Sequence, residues 1–110
     1  MNDVTVKFEQ AKSKLICKID GDFDAYHSAE IKKTIKEQME KTKDTKIVLD
    51  MSNVPYIDSA GLGTMVSLLK DARNLEKELI LASLRQNVKR IFEMTRLDKV
   101  FKIVDVPEEA

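Results

Sequence analysis

Ile47, Val48 and Leu49 lie side by side in the run Lys46-Ile47-Val48-Leu49-Asp50-Met51. Successive side chains of a strand point to opposite faces, so a strand with three adjacent apolar residues has no obvious wet face. Its length and β-branched content predict a strand covered on both sides, at the centre of a parallel or mixed sheet. Parallel neighbours need crossover connections, usually helical, so helix-patterned segments should flank the run.

They do. Upstream, Ile31, Ile35 and Met39 recur at every fourth position, with Ala29 nearby. Lys32, Lys33, Lys36, Glu37 and Glu40 take the other side, which predicts a helix over about 26–41 capped by Asp24 or Ser28. Residues 42–45 form a short polar linker. Downstream, residues 52–58 form a loop, and Pro55 disfavours helix at Val54. A second helix should run from 59 to about 75, with Leu62, Met65, Val66, Leu69 and Ala72 as its apolar stripe and Asp58 as its N-cap. Residues 78–82 read as another apolar strand. A third helix over 86–95 carries Val88, Ile91 and Phe92 on one face, and a short strand over 102–104 precedes Pro107 and an acidic tail.

At the start, Val4, Val6 and Phe8 alternate with Thr5, Lys7 and Glu9, the period of a half-exposed strand. Residues 15–19 read as its partner, with a hairpin loop over 10–14 and a turn at Asp20-Gly21-Asp22. The expected order is β-β-α-β-α-β-α-β: an α/β fold whose sheet is mixed but mostly parallel, with an N-terminal hairpin and helices packed on it. At 110 residues this is one domain spanning 1–110.

Nineteen basic and nineteen acidic residues give a formal net charge of +0, which provides no electrostatic case for DNA or a membrane surface as partner. No apolar run approaches a membrane span, and Met1-Asn2-Asp3-Val4 lacks the features of a signal peptide, so a cytoplasmic protein is expected. The single cysteine, Cys17, cannot form an internal disulfide and reads as a small buried side chain.

The chain has three glycines, and two of them, Gly61 and Gly63, flank Leu62 in the first turn of the second helix. Each costs about 1 kcal/mol relative to alanine in a helix. Either tight packing on the sheet or close approach of a ligand or partner must require the missing side chains. Leu62 could be core or contact. Ser59 precedes them. It is either a capping or first-turn residue, or a hydroxyl presented at the positive end of a helix, where a phosphate gains about 0.3–1 kcal/mol.

Catalytic readings have little support. Ser59 lies in no nucleophile elbow, His27 is the only imidazole and reads as a solvated helix-start residue, and no phosphate-binding loop is present. Asp20, Asp22 and Asp24 resemble the opening of a calcium loop, but Ile31 stands where its bidentate Glu should be. A solvated turn is expected instead, with no metal and no cofactor. Crossover geometry places Asp24 and the Ser59 loop at the same C-terminal edge of the sheet.

The segment Ile57-Asp58-Ser59-Ala60-Gly61-Leu62-Gly63 resembles the phosphorylation motif of STAS domains, specifically bacterial anti-sigma factor antagonists. Gly21-Asp22-Phe23-Asp24-Ala25, the strand through Met51 with Val54 and Tyr56, and the stretch from Val88 to Phe101 are similar to other parts of that family. The resemblance implies a regulator, not an enzyme. Unphosphorylated, it would bind an anti-sigma factor that is also an ATP-dependent serine kinase, and so free a sigma factor. Phosphorylation of Ser59 would break the complex, and a PP2C-type phosphatase would restore it. The partner-binding residues would be Asp24, Asp58, Ser59, Ala60, Gly61, Leu62 and Gly63.

Three alternatives compete. Within the fold, the chain could serve a membrane transport or lipid-trafficking complex. A receiver-like phosphoprotein would use Asp50, but receivers begin β-α and need an acidic pair after the first strand. A nucleotide hydrolase has no motif to support it.

Overall fold

The structure is a computed structural model and describes residues 3–110. The reading of a missing signal sequence at Met1 and Asn2 lies outside the described residues. The elements follow in the order β1 (Thr5–Ala11), β2 (Lys14–Asp20), α1 (Ser28–Lys41), β3 (Lys46–Asn53), α2 (Ser59–Asn74), β4 (Glu78–Ala82), α3 (Gln86–Met94) and β5 (Lys102–Val104). Two 3-10 turns, Leu97–Lys99 and Pro107–Glu109, flank β5. The five strands form one sheet in the order β1-β2-β3-β4-β5, antiparallel between β1 and β2 and parallel elsewhere. This is the expected element order. It also departs from a receiver, in which the first strand lies between the second and third.

Each parallel crossover moves one strand in the same direction. Right-handed connections therefore put all three helices on one face. The main core lies there, built from alternate strand residues such as Cys17, Ile19, Ile47, Leu49, Leu79 and Leu81. Against them pack Ile31, Ile35 and Met39 of α1, Met65, Leu68, Leu69 and Ala72 of α2, and Val88 and Phe92 of α3. Phe92 meets Phe101 edge-on, with ring centroids 5.7 Å apart.

Several local expectations are corrected. Helix α1 starts at Ser28, not near residue 26, because the His27 and Ser28 N–H groups both donate to the Asp24 carbonyl and hold residues 25–27 in a turn. Ala29 faces solvent. In α2, Leu68 is fully buried, whereas Leu62 and Val66 are only partly buried against the core. The β1–β2 connection is two residues, not five. Lys12 and Ser13 both have positive φ (32° and 68°), the sense of a type I′ turn, whose twist matches that of a hairpin.

The helix-free face of the sheet also differs from the expectation for a doubly covered strand. Val48 is fully buried there with Ile16 and Ala82, but Lys46 and Asp50 on the same face are half-exposed. The cover is the C-terminal turn Pro107–Glu109. The Lys14 Nζ donates to the carbonyls of Pro107 (2.9 Å) and Ala110 (3.4 Å).

Candidate functional site

Beyond the C-terminal ends of β2 and β3 the two chains stay paired. Phe23 and Ile57 form a parallel bridge. The Phe23 N–H donates to the Tyr56 carbonyl (2.9 Å), and the Asp58 N–H donates to the Phe23 carbonyl (3.3 Å). Both apolar side chains are buried, so the bridge is anchored in the core. The loop entering α1 and the loop entering α2 are thereby fused into one edge, as the crossover argument expects for Asp24 and Ser59.

Asp58 ties this edge together. Its backbone is extended (φ −111°, ψ −175°), the conformation of an N-cap residue, and its Oδ1 accepts from the Gly61 N–H (2.9 Å). Its Oδ2 accepts from the Ala25 N–H (2.9 Å) on the other loop. The Gly61 N–H is the main reason the Asp58 carboxyl is held below the usual aspartate value. Partial desolvation opposes it, and the N–H groups of Ala25 and Ala60 add to it.

With the cap supplied by Asp58, Ser59 is released from that duty. It is the first residue of α2 and its side chain is exposed. Gly63 lies one turn along the same helix face and is also exposed. A Cβ built there meets nothing within 4 Å. The surface beside the serine is therefore flat and open.

Gly61 has a different explanation. It is buried, and a Cβ on it would lie 2.1 Å from the Phe23 carbonyl oxygen and 2.8 Å from the Ile57 side chain. Packing requires this glycine, so of the two readings offered for the pair, close packing applies to Gly61 and an open surface to Gly63. Ala60 and Leu62 are half-exposed, with Leu62 turned against the core.

Asp24 lies at this edge, but its carboxylate is directed at its own loop. Oδ1 accepts from the His27 N–H (3.0 Å) and lies 2.8 Å from the His27 Nδ1. His27 is 7% exposed, which corrects the expectation of a solvated imidazole. Sequence reasoning missed two residues at the entry to α3 that hold the end of β3 and the second loop. The Asn87 Nδ2 donates to the Pro55 carbonyl (2.8 Å), and the Arg85 Nε donates to the Ser52 carbonyl (2.9 Å). Polar residues at a helix start carry no sequence signal for such long-range contacts.

Among the described residues, no three His, Cys, Asp or Glu side chains are placed to hold a metal ion. No helix among them is long and apolar enough to cross a membrane.

The chain is similar in sequence and fold to several known proteins. A family model described as the STAS domain matches residues 5–110. An anti-sigma-B factor antagonist of Listeria monocytogenes is 33% identical over 89 residues, covering 81% of this chain and 77% of the relative. A crystal structure of a Thermotoga maritima protein superposes with a TM-score of 0.86 at 27% identity, covering 94% of this chain and 89% of that one. The Bacillus cell fate determinant SpoIIAA, solved in its phosphorylated form, shares the fold with a TM-score of 0.70 at 17% identity, covering 96% and 94%.

Proposed function

This chain belongs to the STAS domain family, and on that premise we propose that it is an anti-sigma factor antagonist switched by phosphorylation of Ser59. The observation that carries the reading is the division of labour between Asp58 and Ser59. The aspartate caps α2 and staples the two loops, leaving the serine hydroxyl exposed and structurally unencumbered. The relative from Listeria monocytogenes, by its name an antagonist of an anti-sigma factor, supplies the direction of the reading.

In this account the unphosphorylated edge, with Ser59 and Gly63 at its centre and Asp24, Asp58, Ala60, Gly61 and Leu62 shaping it, binds an anti-sigma factor and frees the sigma factor. The anti-sigma factor is also the ATP-dependent kinase that modifies Ser59, and a PP2C-type phosphatase reverses the step. The one-domain chain itself performs no catalysis and needs no cofactor.

A phosphoserine brings about −1.5 to −2 charge. Beside the Asp58 carboxylate, on a surface that must be desolvated to bind, that charge costs several kcal/mol unless the partner supplies a cation. A loss of roughly 3–4 kcal/mol is a several-hundred-fold drop in affinity. The fold tolerates the group, because the helix N-terminus favours an anion.

Calorimetric titration of the anti-sigma factor from the same organism tests the proposal. Ser59→Ala should bind like the unmodified chain and resist switching, and Ser59→Asp should bind at least tenfold more weakly. Equal affinities for all three forms would exclude the switch.

A second reading, service in a transport or trafficking complex, has no comparable observation in its favour.

A further inference from the structure

We propose that Tyr26 and Tyr56 are the affinity anchors of this edge, so that the anti-sigma factor is held by an aromatic pair while Ser59 controls whether it can seat. The inference rests on the proposed function and names the residues that would carry its binding energy.

The chain has two tyrosines and no tryptophan. Both tyrosines lie in the two loops that the Phe23–Ile57 bridge fuses. Both are exposed, Tyr26 at 70% and Tyr56 at 50%. The phenylalanines behave differently. Phe23, Phe92 and Phe101 are buried, and Phe8 is packed partly against the core. Among the described residues, the exposed aromatic side chains are thus confined to the two loops that meet at the Ser59 edge. Isolated exposed apolar residues need no explanation, but these two aromatics lie on the two loops of one fused edge, and tyrosine is a residue type enriched at the centres of protein interfaces.

The Tyr56 backbone and the Tyr26 ring are also held by fixed supports, which lowers the entropy lost on binding. The Tyr56 carbonyl accepts from the Phe23 N–H, and the preceding Pro55 carbonyl accepts from Asn87. Tyr26 meets the His27 ring edge-on, with centroids 4.9 Å apart, and His27 is itself buried against the Asp24 carboxylate. In this arrangement Asp24 acts as a positioning residue for Tyr26, which gives a physical role to an aspartate whose carboxylate is occupied within its own loop.

The occupant this patch fits is a folded protein face, the anti-sigma factor, offering apolar clefts with polar groups within reach of the phenol hydroxyls. A membrane surface fits poorly. Asp20, Asp22, Asp24 and Asp58 share this edge and would repel anionic headgroups.

The test uses the full chain and the anti-sigma factor from the same organism. Tyr26→Ala and Tyr56→Ala should each weaken binding about tenfold or more. Tyr26→Phe and Tyr56→Phe, which keep the ring area, should stay within about threefold of the unmodified chain. Met94→Ala, at an equally exposed apolar residue on the far end of α3, should change nothing. Incorporating 3-fluorotyrosine gives two 19F signals, both of which should shift on complex formation. Wild-type binding with both alanine variants as tight, or with both 19F signals unmoved, overturns the anchor assignment alone. A wild-type chain that binds no anti-sigma factor overturns the proposed function and the anchors together.

Discussion

Gly61 and Gly63 are two residues apart in one helical turn, yet the space around them separates their roles. At Gly61 a methyl group would collide with a backbone oxygen that is itself fixed by the bridge between the two loops. Gly61→Ala should therefore destabilise the chain by about 2–3 kcal/mol, the range of overpacking into a rigid site. At Gly63 nothing opposes a methyl group, and alanine removes the entropic cost of glycine in a helix. Gly63→Ala should stabilise by about 0.5–1 kcal/mol in chemical denaturation. If partner approach needs the open surface, the same variant binds more weakly. Destabilisation of both variants by the same amount would contradict this division. Composition alone could not separate the two glycines, because the difference lies in the Phe23 carbonyl, 38 positions earlier in the chain.

At the scale of elements, the periodic patterns made the strands and helices legible, and the adjacent apolar residues of β3 made the parallel sheet legible. The cap at Asp58 was also readable, because an aspartate before an apolar helix has one common use. Three features were not. The Lys12–Ser13 turn adopts positive φ without the glycine or asparagine that normally announces it. The Pro107–Glu109 turn covers the second face of the sheet with a segment whose acidic composition suggested only a tail. The second bond of Asp58, to the Ala25 N–H, depends on a loop that is distant in sequence. That bond makes Asp58 a joint between α2 and the entry to α1. Asp58→Ala should cost about 1–2 kcal/mol, a cap residue's contribution. Because the folded carboxyl is held below its ordinary value, its contribution is complete at neutral pH and is lost as pH falls below about 4. Denaturation measured from pH 7 to pH 3 should show the wild-type advantage shrinking on the acid side. A gap independent of pH would rule out the charged cap as its source.

For the whole molecule, a switch confined to the surface leaves the core undisturbed. Cys17 reports on this directly. It is fully buried in β2, and desolvation pushes its thiol up to about 12, so almost no thiolate is present at neutral pH in the folded chain. Labelling by a thiol reagent should proceed only through opening of the core, and at the same rate in wild type and in Ser59→Asp. Faster labelling of Ser59→Asp would mean that charge at residue 59 loosens the fold. The proposed binding edge takes its geometry from Asp58, Gly61 and the Phe23–Ile57 bridge.

The most direct test is to prepare the chain stoichiometrically phosphorylated on Ser59 and to titrate it and the unmodified chain against the same anti-sigma factor, with thermal melts of both. Phosphorylation should lower the affinity by about a hundredfold or more, with melting temperatures that coincide to within a few degrees. Equal affinities, or a loss of binding that accompanies unfolding of the phosphorylated chain, would contradict the proposed switch.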